Sequence, residues 1–292
     1  MSIVRRSFFL LVFLVHSIVG GLGCVYAASP PPIVWQNLEP GLDMARVDVN
    51  FFRGGADASE GREGEQLSER ARASVTLLRI MPDRFAFSLH MASEKGLAPL
   101  GELADREGFI AAINAGMFQQ DKLTSTGYLK NATHANNARI ASNFGAFFVA
   151  EPLGRSRLPQ ARLLDRQRDD WKADITRYAI VMQNYRMNAP DGVVLWKRRD
   201  RLHTISALSQ DASGRLYFIF CRDLVQGTDF ATQLLRLPLQ LQTLMYLEGG
   251  SEAALLIRSG GINTVETGPQ LWGRGSELLL PNVLGLRRKP SL

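Results

Sequence analysis

The sequence predicts an α+β fold: a single mixed domain with several β-strands, mostly antiparallel, and few short helices. Many short segments are apolar or alternate between polar and apolar residues, which is typical of strands. Turn residues separate them, and helical patterns are few. The composition of the 292-residue chain, 46% hydrophobic and 21% charged, excludes the disordered, collagen-like and disulfide-scaffold classes.

The predicted strands follow one another closely along the chain. They cover 45–52, 74–81, 85–92, 109–113, 143–149, 193–197, 202–209, 215–221, 243–247, 253–258 and 277–286. Pro82 and Asp83 separate the second and third strands, which we expect to pair as a hairpin. A buried apolar run is expected within 174–187, and helices over 99–107 and 229–237. The segments 53–72 and 154–172, rich in Arg, are expected to be exposed.

The first 27 residues have the features of a Sec-type signal peptide. Two arginines, Arg5 and Arg6, precede an apolar stretch over 7–19 that is too short for a comfortable membrane span. Small residues at Val25 and Ala27 resemble a cleavage site. We therefore expect a periplasmic or secreted protein without a stable membrane span after cleavage. An uncleaved anchor and a lipoprotein site at Cys24 are the alternatives.

Charge and cysteine content narrow the choice of partners. The net charge of +6 falls to +4 without the signal peptide, and basic residues alternate with acidic ones, so no nucleic-acid partner is predicted. Cys221 is then the only cysteine, and we expect it to be buried in a strand.

The four histidines show no metal-ligand spacing, and no phosphate or dinucleotide loop is present, so neither a metal nor another cofactor is predicted. Nothing in the sequence indicates an oligomeric state.

Two predicted strands end in polar and glycine-rich segments. One strand leads into Asn114 and Gly116, and the other leads into Glu248, Gly249 and Gly250. Glycines allow backbone N–H groups to approach an anion closely. We therefore expect the site at these strand ends.

Several segments in this order resemble the phosphodiester glycosidase family over about residues 74–285. They are Asn114-Ala115-Gly116-Met117-Phe118, Gly127-Tyr128-Leu129, the strand pair around 211–215, the helix over 229–235, Met245-Tyr246-Leu247-Glu248-Gly249-Gly250-Ser251 and the closing 280–284. The resemblance implies a hydrolase that cleaves a glycosyl phosphodiester in envelope or extracellular glycans. The family includes exported bacterial proteins of unclear substrate, which this chain resembles more. We divide the chain into the signal peptide (1–27), an N-terminal strand and exposed loop (28–73) and the glycosidase-like domain (74–289).

A carboxyl group can transfer a proton or attack the sugar in such a reaction, and Arg suits a phosphate through its fork of donors. Glu248 and Asp223 are the candidate catalytic residues. The candidate substrate-binding residues are Asn114, Gly116, Gly249, Gly250, Ser251, Arg222, His203, Gln183 and Arg186. Each also has a structural alternative. Glu248 could tie down its turn, for example, and Asn114 could hold the Gly116 loop.

Three departures from the family pattern suggest a second function. Glu248 occupies a position where the family commonly has Asp, and the extra methylene moves the carboxylate. Only Arg201 and His203 lie near the position of a frequent family Arg. Cys221-Arg222-Asp223 replaces a frequent Asp-Gly or Ser-Asp pair. The alternative is a catalytically inactive periplasmic module of the same fold that binds a glycan or a partner.

Overall fold

Antiparallel strands dominate the computed structural model, which describes residues 32–52, 70–154, 157–197, 201–269 and 278–290. The strands are β1 (Gln36–Glu39), β2 (Leu42–Phe52), β3 (Arg70–Ile80), β4 (Phe85–Met91), β5 (Ala98–Pro99), β6 (Ala111–Asn114), β7 (Leu129–Lys130), β8 (Ala135–Asn137), β9 (Ala146–Pro152), β10 (Ala161–Asp165), β11 (Tyr178–Asn184), β12 (His203–Asp211), β13 (Leu216–Val225), β14 (Leu241–Gly249), β15 (Ala254–Ser259), β16 (Ile262–Thr267), β17 (Leu279–Leu280) and β18 (Asn282–Arg288). The α-helices in the described ranges are α1 (Ala92–Lys95), α2 (Leu100–Glu107), α3 (Trp171–Asp174) and α4 (Gly227–Arg236). This confirms the α+β class.

The predicted signal peptide and most of the loop expected over 53–72 lie outside the described residues. Within the described ranges, no helix is both long enough and apolar enough to cross a membrane. The chain from Pro32 onward forms one compact unit.

Three large sheets enclose the main core. They have the strand orders β1-β2-β3-β13-β12-β14, β10-β9-β11-β7-β8 and β16-β15-β6-β18-β4, and β17 pairs separately with β5. Apolar side chains from all three sheets, such as Phe218, Phe148 and Leu284, form this core. A second cluster lies on the other face of the first sheet, under α4, and contains Phe230 and Tyr246. The site described below lies at the end of β14, the last strand of this sheet.

The expected hairpin of 74–81 with 85–92 is wrong. β3 pairs with β2 over its whole length and with β13 on its other side. β4 instead pairs with β18 in another sheet. A 3-10 turn over Pro82–Arg84 carries the chain from one sheet to the other. Both strands can then line the same core from different sheets, with Leu78 on one and Phe87 on the other.

Two further expectations for local structure are corrected. The segment 154–172 contains a buried strand, β10, which pairs with β9. Its Ala161, Leu163 and Leu164 are buried, and only Arg162 interrupts them. The segment 193–197 forms no strand, since only Val194 makes a single bridge, to Asn188. Its Trp196 packs against the second cluster, so its apolar residues cover a core without joining a sheet.

Candidate active site

The end of β14 holds the strongest candidate, Glu248. Residues Thr243–Leu247 are buried, and β12 pairs with this strand along its length. Leu244 and Tyr246 contribute to the second cluster, whereas Met245 and Leu247 face the main core. The register with β12 shifts at Leu247, so Glu248 pairs with Ser206 and its side chain lies on the main-core face, opposite Tyr246.

Two glycines shape the turn after Glu248 for different reasons. A Cβ on Gly249 would lie 2.6 Å from His203 Cδ2, 2.7 Å from Tyr246 Oη and 2.9 Å from the Thr204 carbonyl oxygen. No side chain fits there. Gly250 has a φ of +74° in an otherwise open position, so its backbone conformation is the one that favours glycine. The chain then makes a 3-10 turn over Gly250–Glu252.

Glu248 is a carboxyl group suited to proton transfer near neutral pH. Its Oε1 accepts a hydrogen bond of 3.0 Å from the Gly249 N–H. Burial and, to a smaller extent, the nearby negative charge of Glu252 raise the pKa of Glu248 to about 7, although the Gly249 N–H acts in the opposite direction. Such a shift from an ordinary value of 4.5 is typical of acid–base residues in enzymes.

Glu252 is a second carboxylate that the sequence interpretation did not assign to the site. It lies on the same turn, is partly exposed and accepts a hydrogen bond of 2.7 Å from the Ser251 hydroxyl. Ser251, a predicted substrate-binding residue, is therefore engaged with its neighbour. The spacing of two Glu residues around a Gly-Gly pair was the available signal, because a tight turn keeps such side chains close.

His203 lies beside the turn that follows Glu248, since a Cβ on Gly249 would lie 2.6 Å from its Cδ2 atom. Its ring is 6.4 Å from the Tyr246 ring, edge to face. Burial lowers the pKa of His203, so the ring is neutral at neutral pH. In this state it can donate or accept one hydrogen bond but supplies no positive charge to a phosphate.

The end of β6 approaches the end of β14 through Asn184. A Cβ on Gly116 would lie 3.2 Å from Asn184 Nδ2, and this amide donates to the Leu247 carbonyl at 3.0 Å. Asn114 is buried, and its Oδ1 accepts a hydrogen bond of 3.0 Å from the Ala254 N–H. Its Nδ2 has no hydrogen-bond partner among the described residues. The structure thus joins the two strand ends, and Asn114 holds the strand that follows the Glu248 turn.

Two predicted binding residues serve the protein interior. Gln183 is buried, accepts hydrogen bonds from the N–H groups of Tyr128 and Ala141, and donates to the carbonyls of Ala141 and Phe144. Arg186 is buried and forms an ion pair with the buried carboxylate of Asp165. No described contact brings the side chain of Gln183 or Arg186 to the Glu248 turn. Strand-end position alone does not distinguish such residues from ligands.

Asp223 and Arg222 lie on β13, which β12 separates from Glu248 on β14. Asp223 is exposed, and its Oδ2 accepts a hydrogen bond of 2.8 Å from the Ser74 N–H, on β3. The backbone carbonyl of Arg222 accepts a bond from the Thr204 hydroxyl, and its side chain is exposed. The described contacts of Asp223 therefore extend the pairing of β13 with β3. Within the described ranges, no group of three or more metal-ligating side chains occurs.

A row of aromatic rings begins at Tyr246, on the face of β14 opposite the Glu248 side chain. The Tyr246 and Trp196 rings are 4.9 Å apart, the Trp196 and Tyr185 rings 6.2 Å, and the Tyr185 and Phe144 rings 4.3 Å. We call Tyr246, Trp196, Tyr185 and Phe144 the aromatic row. The sequence interpretation missed it because its members come from four distant segments.

Comparison with known proteins identifies the family to which this site belongs. A family model described as phosphodiester glycosidase matches residues 107–287, which is more than half of the chain and includes Asn114, His203 and Glu248. The chain belongs to the phosphodiester glycosidase family. The predicted resemblance is thus confirmed. Among curated proteins, no sequence matches the chain.

Two solved structures have a similar fold. One is a hypothetical protein from Synechocystis, with 14% identity and a TM-score of 0.57, and the match covers 90% of this chain and 65% of that protein. The chain therefore spans less than two thirds of the length of the Synechocystis protein. The other is the catalytic domain of zebrafish N-acetylglucosamine-1-phosphodiester alpha-N-acetylglucosaminidase, auto-inhibited by its pro-peptide. Here the identity is 11%, the TM-score 0.57 and the coverage 87% of this chain and 86% of that domain.

Proposed function

We propose that this phosphodiester glycosidase is an exported hydrolase that cleaves the bond between a sugar and a phosphodiester in envelope or extracellular glycans. The observation that carries the proposal is the buried carboxyl group of Glu248 at the end of β14. Its carboxyl group stands at a strand end, against two glycines, with a pKa of about 7. A group with this pKa can exchange a proton at neutral pH during each turnover.

In the reaction that we propose, Glu248 acts as the general base in its ionised form. It takes a proton from a water molecule as the water oxygen bonds to the anomeric carbon. The bond from that carbon to the phosphate oxygen breaks, and the phosphate oxygen keeps the electron pair. The departing phosphate monoester is a stable anion, so it needs little help from an acid. The positive charge that develops on the sugar in the oxocarbenium-like transition state also favours the ionised form of Glu248.

The turn around Gly249 and Gly250 supports the same role. The His203 ring, Tyr246 and the backbone approach Gly249 so closely that no Cβ fits there. Burial also raises the pKa of Tyr246, so its hydroxyl stays protonated as a hydrogen-bond donor. Tyr246 and neutral His203 pack against Gly249 on the face of β14 opposite the Glu248 side chain, so they support the turn without adding charge.

A sugar 1-phosphodiester with an aryl group on the phosphate tests the activity, because the aryl phosphate that is released gives its coloured phenol after treatment with alkaline phosphatase. N-acetylglucosamine 1-phosphodiester is the first probe because the zebrafish protein is named for it, and the glucose, mannose and galactose analogues complete the panel. We expect Glu248→Gln to reduce kcat/KM by about 10²-fold or more, in the range of a lost acid–base residue. Glu102→Gln, on the exposed surface of α2, is the matched control. Equal rates for wild type and Glu248→Gln on every sugar would refute the proposal.

The pH profile tests the role of Glu248 as a base. The ionised form is the active one, so kcat/KM should rise as the pH increases through about 7 and level off above it. Glu252→Gln removes the neighbouring negative charge, lowers the pKa of Glu248 and moves this rise to lower pH. A rate that falls through pH 7 would assign Glu248 as an acid instead.

An inactive binding module is the second candidate, and the charges of two predicted substrate-binding residues favour it. Arg186 is paired with Asp165, and His203 is neutral, so neither supplies a free positive charge for the phosphate. If no sugar phosphodiester is hydrolysed and a glycan array shows binding, this candidate replaces the first.

The proposed export depends on residues 1–27. Expression in a Gram-negative host should release a product that begins at Ala28 into the periplasm. The mass of the intact protein in the periplasmic fraction measures this. A membrane-bound product that retains Met1 would contradict it.

A further inference from the structure

Two leucines are exposed beside the turn that follows β14. Leu202 is 40% exposed and precedes His203, whose Cδ2 would lie 2.6 Å from a Cβ on Gly249. Leu224 is 56% exposed and precedes Val225, which pairs with His203 between β13 and β12. The two leucines therefore flank the same cross-strand pair and are close neighbours on the surface at this end of the first sheet.

Three exposed cations accompany the leucines. Arg201 and Arg222 lie within two residues of them along the chain, and Lys197 follows the partly exposed Trp196. None of the three cations forms an ion pair with a residue in the described ranges. The neighbouring Asp223 instead accepts a hydrogen bond from a backbone N–H of β3. We call the following five residues the exposed patch: Lys197, Arg201, Leu202, Arg222 and Leu224.

Described contacts join the three segments that carry the exposed patch. The Thr228 hydroxyl donates to the Trp196 carbonyl at 3.2 Å, which joins the first segment to the chain just after β13. A Cβ on Gly227 would lie 2.5 Å from Cε3 of Trp196, so this ring packs closely against the same part of the chain. The Thr204 hydroxyl donates to the Arg222 carbonyl at 3.0 Å, which joins β12 to β13. The three segments are therefore neighbours in the fold.

The exposed patch is too small for a stable protein interface and too apolar for a site that binds only phosphate. A protein interface involves roughly 20–30 residues on each side. A free phosphate ion would pair with the arginines but would leave the leucines in water. A lipid bilayer accepts a few inserted side chains, because its acyl chains surround them on all sides.

A bilayer that contains anionic lipids complements both parts of the exposed patch. Its phosphate groups attract the unpaired cations, and its acyl chains receive the leucines. A partly exposed Trp such as Trp196 favours the boundary between these two layers. We infer that the exposed patch binds the surface of an anionic lipid bilayer and presents the end of β14 to a glycosyl phosphodiester whose other group is a lipid. The substrate class rests on the proposed function, whereas the binding to the bilayer does not.

Sedimentation with lipid vesicles tests the exposed patch. We would use the chain from Ala28, because it contains the compact unit from Pro32 onward and lacks the apolar stretch over 7–19, which would itself bind lipid. We expect binding to vesicles of phosphatidylglycerol and phosphatidylcholine in equal parts. Binding to pure phosphatidylcholine should be weaker by about tenfold or more, and high salt should weaken the binding to the anionic vesicles. Equal binding to both compositions, or binding to neither, would overturn the inference.

Two variants separate the charged contribution from the apolar one. Arg222→Gln should weaken binding to the anionic vesicles by about fivefold, the effect of one cation at a charged membrane surface. Leu224→Gln should weaken it by a similar factor, because the amide does not enter the acyl region. Arg84→Gln and Leu153→Gln are the matched controls, since both residues are exposed and lie outside the exposed patch. Patch variants that bind as tightly as the controls would refute the assignment. The comparison of the two lipid compositions uses the wild type, so it decides even if a variant fails to fold.

The outcome for the exposed patch is distinguishable from the outcome for the activity, because vesicle binding needs no turnover. Hydrolysis of the aryl phosphodiester that depends on Glu248, without vesicle binding, contradicts the patch and leaves the activity standing. Vesicle binding that depends on Arg222 and Leu224, without hydrolysis of an aryl or a lipid-linked sugar phosphodiester, supports the patch in a binding module and refutes the hydrolase. A dimer that Leu224→Gln dissociates, without vesicle binding, would assign the patch to a second copy of the chain and overturn the inference.

Discussion

Glu248 couples function to stability at the scale of a single residue. Its pKa of about 7 in the folded state lies above the ordinary 4.5, so the folded protein holds a proton that the unfolded chain has lost between these pH values. The stability linked to this proton is fully present below pH 4.5 and is lost as the pH rises through about 7.

Glu248→Gln should therefore stabilise the fold at high pH. The amide carries no charge at any pH, so burial of the side chain no longer opposes folding above pH 7. Thermal unfolding at pH 4, 6 and 8 should show that the Tm of the variant exceeds that of wild type by an amount that increases with pH. Glu102→Gln should show no such trend. A constant difference at the three pH values would contradict the linkage.

The two glycines after Glu248 should respond differently to alanine. Gly249→Ala forces a Cβ against a backbone oxygen and two rings, which we expect to cost about 1–3 kcal/mol and to abolish activity. Gly250→Ala meets no close atom but keeps a φ of +74°, at a cost of about 1–2 kcal/mol. Urea unfolding measures both. Full activity in Gly249→Ala would show that the backbone can move without harm to the site.

At the scale of elements, a buried ion pair joins β10 to the segment after β11. The side chains of Arg186 and Asp165 are 8% and 1% exposed. A Cβ on Gly145 would lie 3.1 Å from Arg186 Cβ, so the arginine also packs closely against the start of β9. The pair explains why a strand-end arginine that the sequence suggested for substrate binding is used inside the protein.

Breaking this pair should affect stability rather than catalysis. Asp165→Asn leaves the Arg186 charge uncompensated, which we expect to cost about 3–5 kcal/mol. Adding Arg186→Met should recover most of that loss. Urea unfolding gives the stabilities, and kcat/KM at low temperature, where both variants are folded, gives the activity. Loss of activity in Arg186→Met without loss of stability would restore the substrate-binding interpretation.

At the scale of the whole molecule, the family match covers less than the folded unit. β13 lies between β3 and β12, and β18 lies between β4 and β6. β3 and β4 precede residue 107, where the match begins. The domain therefore depends on strands outside the matched region for its sheets and for core residues such as Leu78 and Phe87.

We expect the fragment 107–287 not to fold alone. Removing β1–β5 exposes the edge of β13 and the apolar residues that these strands cover. The fragment should show no cooperative thermal transition and should bind a hydrophobic dye, whereas the fragment 32–290 should unfold cooperatively. A cooperative transition in the shorter fragment would show that the first strands are dispensable.

The sequence by itself determined the features that depend on neighbouring residues. Alternation over 45–52 predicted β2, and the polar turn after Leu247 predicted the place of Glu248. Only the tertiary structure decided that β3 and β4 join different sheets, that Gln183 and Arg186 are used internally, and that Glu248 and Tyr246 lie on opposite faces of β14. The periodicity of a strand is local, whereas its partner, and the use of a buried polar group, depend on which distant segments reach it.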